Sequence, residues 1–493
     1  MLDPKPNKST EPPKSPILYQ NPSKTTIVID IPQSIAQAQG QSGPPRELYS
    51  IEPLKEPFAS TEPKSEKAKK NVAARNGASS SVIAGKYATV IEKALEEVRR
   101  DWEGVDTGDG IWACGRRVRE ESDEGRGRGG KRKRDEFEEL GSGNGKVEES
   151  VNEFSKKGSV VAVDGHHQIP RELVRSIDLF SQEEDRMQSL MQAVKDDERS
   201  KVKLAIKHPS HVGESISERN ENPGSVWHNP RPQHMLLNIT ESESDTITSS
   251  KPIVFHLPPL STYILSDCAD SSNLRTTVRK YRHHFHNRPA FDFILLDPPW
   301  PNTSAKRKSS YSTASQLRDL KRMLLDMDLD TYIPPSGYVG IWITNAPNIR
   351  NLVLGEDGLF EAWNLTLVEE WIWVKTTRHG EPVTGIHGVW RKPYEVLLLG
   401  RAPSYRLAVA AELEEEQIVK RVIFGCPDLH SRKPCLKVLI EELQIVEVGA
   451  MVLEIFARYL VAGWWSWGDE VLKFNWEKHW TDDGLGIDNV GAD

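Results

Sequence analysis

The sequence predicts an α/β fold built around a buried, mostly parallel sheet. Residues 291–296, Phe-Asp-Phe-Ile-Leu-Leu, form an apolar run typical of a strand that is covered on both faces. The run ends abruptly at Asp297, Pro298 and Pro299, and two prolines cannot extend a central strand. Ligands of open α/β sheets bind beyond the carboxyl ends of the strands, so Asp297 is expected at a ligand site.

The composition predicts one sizeable domain in the second half of the chain. By length the 493 residues could form two or three domains, but only 37% are hydrophobic and these concentrate after residue 253. The net charge of −8 does not indicate nucleic-acid binding, although a local basic surface can coexist with it. The four cysteines have neither zinc-finger nor disulfide spacing, which favours a reducing, intracellular compartment. We expect neither a signal peptide nor a membrane span.

The N-terminal region is expected to contribute little to the core. Residues 1–80 are rich in proline, serine, lysine and glutamate and are predicted to form a disordered tail. Within them, 25–31 could form a short strand or a docking motif. In 81–105, apolar residues from Val82 to Trp102 recur every three or four positions, which predicts an amphipathic helix. We expect it to pack on the later domain, with a partner-binding helix as the alternative.

Two further segments precede the predicted domain. Residues 106–165 are predicted to be a low-complexity basic and acidic linker, and its block 126–134 is strongly basic. This block fits a nuclear localisation signal, an RNA contact or a solvated linker, so a nuclear and possibly also cytoplasmic location is expected. Residues 166–252 are expected to hold an accessory helix at 173–194, with a capping box at Ser181, and then an irregular stretch.

The predicted domain, 253–480, alternates strands with helices before a short tail at 481–493. Apolar runs predict strands at 263–267, 291–296, 337–344, 367–375, 395–399, 417–424 and 451–456. Helical spacing predicts helices at 317–329 and 433–443. Trp464, Trp465 and Trp467 are expected to be core residues. The histidines around residue 284 have no acidic or cysteine partner at ligand spacing, so no metal site is expected.

The Asp-Pro-Pro-Trp segment at 297–300 offers acceptors beside a flat aromatic ring. Asp297 is an acceptor, and Pro298 and Pro299 keep their carbonyls while lacking N–H groups. A base can stack on Trp300, which is worth ~1–3 kcal/mol. This arrangement suits an exocyclic amino group, which has two hydrogens to donate. Acceptors that hold both hydrogens of adenine's amino nitrogen draw it towards tetrahedral geometry and free its lone pair for attack.

An ordered series of motifs accompanies this segment. Its members are Pro-Asn at 301–302, Lys-Arg at 306–307, Tyr-Ser at 311–312, Trp-Ile-Thr-Asn at 342–345, Glu-Trp-Ile-Trp-Val-Lys at 370–375, Lys-Pro-Tyr-Glu at 392–395, Leu-Gly-Arg at 399–401, Leu-His-Ser-Arg-Lys-Pro at 429–434, Leu-Glu-Ile-Phe-Ala-Arg at 453–458 and Gly-Trp-Trp-Ser-Trp-Gly-Asp-Glu-Val-Leu at 463–472. Over residues 253–480 the chain therefore resembles the N6-adenine methyltransferase family that carries Asp-Pro-Pro-Trp, and within it the methyltransferase-like 4 group.

The resemblance implies a permuted Rossmann-like, S-adenosylmethionine-dependent methyltransferase domain, because the Asp-Pro-Pro-Trp strand precedes the cofactor strand at 451–456. The implied reaction is methylation of adenine N6 in nucleic acid. The implied substrate is U2 small nuclear RNA at an internal 2′-O-methylated adenosine, with DNA adenine as the alternative. A non-catalytic RNA-binding scaffold of a methyltransferase heterodimer is the alternative from another class. Catalysis is favoured because the acid and the aromatic residue of the motif are both present.

The resemblance also implies roles for individual residues. The catalytic set is Asp297, Pro298, Pro299 and Trp300. The cofactor-binding set is Asp267, Asp297, Lys433, Glu454, Arg458, Asp469 and Glu470, with Lys433 on the methionine carboxylate, Glu454 and Arg458 on the ribose, and the last pair near the adenine. Asp469 stands where the family commonly has an amide. The substrate-binding set is Lys306, Arg307, Lys308, Tyr311, Asn345, Lys375, Arg378, Arg391, Lys392, Tyr394 and His430.

Overall fold

The structure, a computed structural model, describes most of the chain outside its longest polar segments. The described residues are 15–40, 46–60, 62–63, 65–102, 112, 171–196, 201–207, 224–242, 251–285, 290–301, 313–389, 391–405, 413–429 and 432–481. Among the helices of these ranges, none is both long and apolar enough to cross a bilayer.

The described strands and helices alternate along the second half of the chain. The strands are β1 (Ile17–Gln20), β2 (Thr26–Ile29), β3 (Val202–Lys207), β4 (Val226–His228), β5 (Met235–Glu241), β6 (Ile253–Leu257), β7 (Thr262–Leu265), β8 (Phe293–Leu296), β9 (Tyr338–Ile343), β10 (Thr366–Lys375), β11 (Tyr394–Arg401), β12 (Val419–Gly425), β13 (Val452–Ile455) and β14 (Trp465–Gly468). The helices are α1 (Ile31–Ala38), α2 (Glu66–Asp101), α3 (Arg171–Lys195), α4 (Ser272–Lys280), α5 (Thr313–Leu325), α6 (Pro347–Leu354), α7 (Leu359–Ala362) and α8 (Lys437–Glu442).

A large sheet of order β1-β2-β12-β10-β11-β9-β8-β13-β14-β7-β4 organises the molecule. Its centre is parallel, since β8 pairs in parallel with β9 and β13, and β14 pairs in parallel with β13 and β7. Strand β11 alone among these central strands runs the other way, between β9 and β10. The sheet confirms the predicted α/β class, and β8 precedes β13 along the chain as the permuted order requires. The carboxyl ends of β7, β8, β9, β10, β13 and β14 meet at one edge.

The centre of this sheet is buried on both faces, as the apolar run at 291–296 predicts. Phe293 and Leu295 belong to one hydrophobic cluster, whereas Ile294 and Leu296 belong to the cluster on the opposite face. Successive side chains of a strand point to opposite faces, so an unbroken apolar run is what two covered faces require. Burying each such side chain contributes ~1.5–3 kcal/mol. The strand ends at Leu296 and leaves Asp297 at the edge.

The N-terminal segment is an ordered part of the sheet, which corrects the prediction of a disordered tail for residues 15–40. Strand β2 pairs in parallel with β12, and Ile27, Val28 and Ile29 have no exposed surface. Helix α1 follows directly, with the Asp30 carboxylate accepting a hydrogen bond from the N–H of Gln33 at 3.0 Å. The four apolar or β-branched residues of β2 suit a strand that is paired on both sides, by β1 and by β12. Residues 1–14 lie outside the described part.

Helix α2 packs on the large domain, as predicted, but it begins at Glu66 rather than near residue 81. Tyr87, Ile91, Leu95 and Val98 lie on one face of the helix and join the main hydrophobic cluster. The extra turns at the start fall in the segment predicted to be disordered, where alanine and lysine support a helix without apolar periodicity. The linker at 106–165 lies outside the described residues apart from Trp112.

A second sheet, of order β3-β5-β6, and helix α3 form a small layer beside the large sheet. Two predictions fail here. Helix α3 begins at Arg171, so Ser181 lies inside it and not at its start. Residues 205–250 are not wholly irregular, because β4 and β5 lie within them and Leu237 and Ile239 of β5 are fully buried. The expectation for Trp464, Trp465 and Trp467 is confirmed, since all three are at most 1% exposed.

Candidate active site

The candidate site is a cavity at the carboxyl edge of the parallel strands. Asp297 follows β8, Phe456 follows β13, and both reach it because these two strands are neighbours. The cavity measures about 430 Å³, including its part open to solvent. Its lining residues are Leu295, Asp297, Trp342, Lys433, Pro434, Leu436, Glu454, Phe456, Arg458, Tyr459 and Trp464.

A chain of alternating charges crosses the mouth of this cavity. The Nζ atom of Lys433 lies 2.8 Å from each carboxylate oxygen of Asp297 and 3.3 Å from Oε2 of Glu395. Lys375, at the end of β10, donates to the other oxygen of Glu395 at 2.6 Å. The Lys433 ammonium also lies 5.5 Å from the ring centre of Trp342, within cation–π range. Asp297 and Glu395 thus share the ammonium of Lys433, and the contacts hold the side chains of all four residues in fixed orientations.

The pKa values follow from this pairing. Burial by itself would lower the pKa of the Lys433 ammonium, but Glu395 and Asp297 outweigh it and hold that pKa above its usual value. Burial would likewise raise the pKa of Glu395, yet Lys375 and Lys433 hold it at about 2. Both groups are therefore charged at neutral pH. An incoming carboxylate can meet the Lys433 ammonium only by sharing it with Asp297 and Glu395.

Glu454 behaves in the opposite way. Burial, and next the negative charge of Asp297, raise the pKa of Glu454 to about 8, against the opposing influence of Arg458 and Lys433. Its Oε2 atom is buried and accepts no hydrogen bond within the described residues. A buried carboxyl oxygen without a donor is costly, so this position favours a ligand that brings hydroxyl or amine donors.

The aromatic residue of the motif is held in one orientation. The backbone N–H of Trp300 donates to the carbonyl of Pro298 at 2.8 Å, which closes a tight turn after the strand. Its indole Nε1 donates to the carbonyl of Trp342 at 2.7 Å. Trp300 therefore stands half-buried beside the cavity with a fixed ring plane.

The backbone at the tip of β13 is strained where it meets the cavity. Phe456 has a φ of 62°, in the left-handed region that residues with a Cβ rarely adopt. A Cβ on Gly468 would lie 2.8 Å from the carbonyl of Ala457, so the chain after β14 approaches this turn as closely as only glycine allows. Such local strain is found preferentially at ligand sites.

The structure brings together part of the predicted cofactor-binding set. Asp297, Lys433, Glu454 and Arg458 all line the cavity. Glu470 stands behind them, with Oε2 3.1 Å from Nε of Arg458 and Oε1 2.7 Å from Nζ of Lys473.

The other two members of that set lie away from the lining. Asp267 and Asp469 are exposed and follow the neighbouring strands β7 and β14. One Asp267 oxygen accepts from the N–H of Ala269 at 2.9 Å.

The predicted substrate-binding residues separate into three groups. Lys306, Arg307, Lys308, Tyr311 and His430 lie outside the described residues. Asn345, Lys375 and Tyr394 are internally paired: Asn345 donates to the Tyr394 carbonyl at 2.6 Å, and the Tyr394 ring, 2% exposed, packs against Tyr87. That geometry gives the Tyr394 ring a packing role. Arg378, Arg391 and Lys392 lie on the loop between β10 and β11.

Glu395 is a site residue that the sequence reasoning missed. It is the second residue of β11, after Tyr394, and is the only acid that touches both Lys375 and Lys433 in the described part of the chain. The signal was present, since Lys-Pro-Tyr-Glu at 392–395 is one of the ordered motifs. An acid on an otherwise apolar strand start was a reason to single it out.

Comparison with known proteins shows which family the region around this site resembles. The MT-A70 family model matches residues 291–470, which contain β8 to β14 and all the lining residues of the cavity. Residues 291–470 therefore resemble an MT-A70 domain. MT-A70 methyltransferases use S-adenosylmethionine as the methyl donor.

Curated relatives are similar over part of the chain. The "N6-methyladenosine RNA methyltransferase MTA1" of Cryphonectria parasitica is 42% identical over 211 residues, 42% of this chain and 60% of that protein. The human "N(6)-adenine-specific methyltransferase METTL4" is 32% identical over 252 residues, 49% of this chain and 48% of that protein. The Caenorhabditis elegans "DNA N6-methyl methyltransferase" is 27% identical over 227 residues, 45% of this chain and 55% of that protein. The chain thus spans 60% or less of the length of each.

The cavity fits the methyl donor chemically. S-adenosylmethionine carries a carboxylate, an amine and a ribose diol, and the cavity offers a cation at Lys433 and acceptors at Asp297 and Glu454. The unpaired Oε2 of Glu454 suits a donor such as a ribose hydroxyl. Across the described residues no three His, Cys, Asp or Glu side chains are grouped as metal ligands.

Proposed function

We propose that the chain is an S-adenosylmethionine-dependent methyltransferase that acts on the N6 atom of adenine in nucleic acid. The observation that carries the proposal is the Asp297–Lys433 pair at the cavity mouth, beside the fixed ring of Trp300. An acid, a cation and a stacking face meet there, at the edge of an MT-A70 domain. The names of the relatives, N6-methyladenosine and N6-adenine methyltransferases, agree with this function.

The residues at the cavity have separate roles in this reaction. Trp300 offers its face to the base, and Asp297 accepts a hydrogen bond from the amino group. An ionised carboxylate has about four acceptor positions, and Lys433 takes two, so Asp297 can still serve the amine. Lys433 meets the carboxylate of the methionine part and Glu454 a ribose hydroxyl. S-adenosylmethionine, when bound, supplies the electrophilic methyl group that the amino nitrogen attacks.

Most of the rate acceleration is expected from positioning. The two reacting groups are held in line in a small cavity with little water, which converts a bimolecular step into an effectively unimolecular one. The ordered charge chain from Lys375 to Asp297 supports this, because side chains that are already oriented need no reorganisation. After transfer the amine releases a proton, to Asp297 or to water.

For the substrate we favour RNA, and specifically U2 small nuclear RNA at an internal 2′-O-methylated adenosine. The support is the resemblance of the motif series to the methyltransferase-like 4 group and the similarity to a relative named as an RNA methyltransferase. DNA adenine is the alternative, supported by the relative named as a DNA methyltransferase. Both substrates present the same amine, so the site chemistry is common to them; only RNA requires room for the 2′ substituent.

The candidate from another class is a non-catalytic RNA-binding scaffold in a methyltransferase heterodimer. The intact acid, aromatic ring and cation at the cavity favour an enzyme over it. Calorimetric titration of the full chain with S-adenosylmethionine separates the two, since a scaffold without cofactor binding gives no heat.

The deciding experiment is methyl transfer from labelled S-adenosylmethionine to matched RNA and DNA oligonucleotides, followed by mass spectrometry of the nucleosides. The RNA set includes adenosine with and without a 2′-O-methyl group. N6-methyladenosine or its 2′-O-methyl form identifies an RNA enzyme, and N6-methyldeoxyadenosine identifies a DNA enzyme. No methylated nucleoside from any of them contradicts the proposed activity.

A nuclear location, with a possible cytoplasmic fraction, belongs to the same proposal. Its support is the basic block at 126–134, which lies outside the described residues. Imaging of a fluorescent fusion with and without this block tests it.

A further inference from the structure

The loop between β10 and β11, residues 376–393, is held by the N-terminal part of the chain. The N–H of Arg378 donates to the carbonyl of Leu54, and the N–H of Phe58 donates to the carbonyl of Val383, both at 2.9 Å. Farther along the loop, His387 lies 2.6 Å from the carboxylate of Glu92 on α2. The segment after β2 and α1 therefore crosses the loop that carries the basic residues near the active site.

Glu62, at the end of this crossing segment, places its carboxylate directly on the loop backbone. Its Oε2 atom accepts from the N–H of Val389 at 3.0 Å. Its other oxygen is so close to Gly388 that a Cβ there would lie 2.6 Å from it. A carboxylate seated on backbone N–H and flanked by glycine shows that the loop has a place for an anion at this point.

The loop also carries positive charge that is incompletely compensated. Burial lowers the pKa of Lys392 below its usual value, although the nearby Glu62 acts to raise it. The Nε atom of Arg391 is buried and donates no hydrogen bond within the described residues. A half-buried cation that one carboxylate does not fully stabilise gains from an anion with more charge and more acceptor oxygens, such as a phosphate.

The position of this loop suits contact with a nucleic-acid strand whose adenine enters the cavity. Lys392 precedes Glu395 by three residues, ~10 Å of extended chain, and Glu395 touches Lys433 at the cavity mouth. Backbone N–H groups and Lys or Arg side chains are the usual contacts of nucleic-acid phosphates.

We propose that Glu62 occupies a site on the loop that takes a backbone phosphate of the substrate strand, and that this carboxylate leaves when the strand binds. The inference rests on the proposed function, because it assumes a nucleic-acid substrate. The Glu62 carboxylate then competes with the substrate for this site. It also keeps the loop ordered while no substrate is bound. If Glu62 were instead a permanent clasp, its loss would disorder the loop and weaken substrate binding.

The test compares Glu62→Gln with Glu56→Gln in the full chain. Both variants change the net charge equally, and Glu56 is an exposed residue of the same segment. Glutamine keeps an oxygen that can accept from Val389, so the fold is retained. Binding of a single-stranded, adenosine-containing RNA oligonucleotide is measured by fluorescence anisotropy at several salt concentrations.

Glu62→Gln is expected to bind the RNA about threefold or more tightly than Glu56→Gln. A factor of this size corresponds to the free energy of one ion pair at the protein surface. The slope of log affinity against log salt is expected to steepen by about 0.7, the value for one additional phosphate neutralised on a single strand. Equal affinity of the two variants, or weaker binding by Glu62→Gln, overturns the inference and leaves the proposed function standing if the wild-type chain binds and methylates RNA.

A second measurement keeps the test informative if the proposed function fails. Thermal unfolding is followed in inorganic phosphate and in chloride of equal ionic strength. An anion site opened by Glu62→Gln predicts that phosphate raises the Tm of this variant more than that of Glu56→Gln or the wild type. An equal response of all three proteins overturns the anion site whether or not the chain acts on RNA.

Discussion

The ammonium of Lys433 lies 2.8 Å from both carboxylate oxygens of Asp297. This contact joins the acid at the tip of β8 to a residue just before α8, 136 positions away in the chain. The pair makes Asp297 a fixed acceptor and makes Lys433 a charge already oriented towards the cavity. Each residue is then part of the environment of the other, so a change in either has two consequences.

Asp297→Ala is expected to lower the rate of methyl transfer by about a hundredfold or more, while the fold is retained. The substitution removes the acceptor for the amino group at the edge of the sheet, where no apolar packing is disturbed. The measurement is single-turnover transfer, with the Tm of the same preparation as control. A normally melting Asp297→Ala protein with near wild-type transfer contradicts the mechanism.

Lys433→Ala is expected to weaken S-adenosylmethionine binding more than RNA binding. A charged hydrogen bond to a carboxylate is worth ~1.5–3 kcal/mol, roughly ten- to a hundredfold in affinity. Calorimetry with the cofactor and anisotropy with RNA give the two affinities. Unchanged cofactor affinity together with a large loss of RNA affinity shows that Lys433 serves the substrate instead.

Glu395→Gln is expected to lower the stability of the protein near neutral pH, and the difference from the wild type is expected to shrink in acid. The pKa of Glu395 is held at about 2, below its ordinary value, so the carboxylate contributes stability above the unfolded pKa of ~4.3. That contribution is lost as the pH falls through about 2. The free energy of unfolding by urea, measured between pH 2 and 7, is expected to depend less on pH in the variant. Two parallel curves would show that Lys375 and Lys433 do not stabilise this acid.

Glu454→Gln is expected to have the opposite effect on stability, because it removes a destabilising contribution that grows with pH. The pKa of Glu454 is raised to about 8, so the folded protein keeps a proton that the unfolded chain loses near pH ~4.3. Stability without cofactor therefore falls as the pH rises from about 4.3 to 8, and glutamine removes this loss. The variant is expected to gain stability over the wild type as the pH rises, while cofactor affinity drops. A stability difference that is constant between pH 5 and 8 contradicts the raised pKa.

Replacing Lys306, Arg307 and Lys308 by alanine is expected to flatten the salt dependence of RNA binding, because side chains that neutralise phosphates release counterions. The slope is expected to fall by up to about one unit for each phosphate that is no longer neutralised. Cofactor affinity should be unchanged. Deletion of residues 115–135 is the control: if the deletion flattens the slope and the triple variant does not, the basic block at 126–134 binds the RNA.

The elements of the central sheet were predictable because their signals are local. The run at 293–296 is apolar on both faces, and β8 is buried on both faces. The two prolines that follow end the strand by their own geometry, so the position of Asp297 at the edge needed no knowledge of the rest of the chain. The same holds for β13 and for the tryptophans at 464, 465 and 467, which are too large and apolar to remain outside a core.

Strand β2, near the N-terminus, is an element that local sequence signals alone do not predict. Residues 25–31 were singled out by composition, but a lone strand has no stability of its own. Strand β2 exists because β12, almost 400 residues later, offers it an open edge. A polar, proline-rich neighbourhood predicts disorder on average, and the pairing of β2 with β1 and with the distant β12 overrides it.

The sequence by itself determined the α/β class, the order of the central strands along the chain and the place of Asp297 at a strand tip, because burial and chain stiffness act between neighbouring residues. Only the tertiary structure decided that Lys433 pairs with Asp297, that Glu395 joins Lys433 to Lys375, and that Glu62 rests on the loop after β10. Those contacts join residues far apart in the chain, and charge interactions depend on distance and burial in space. The raised pKa of Glu454 and the lowered pKa of Glu395 have the same origin.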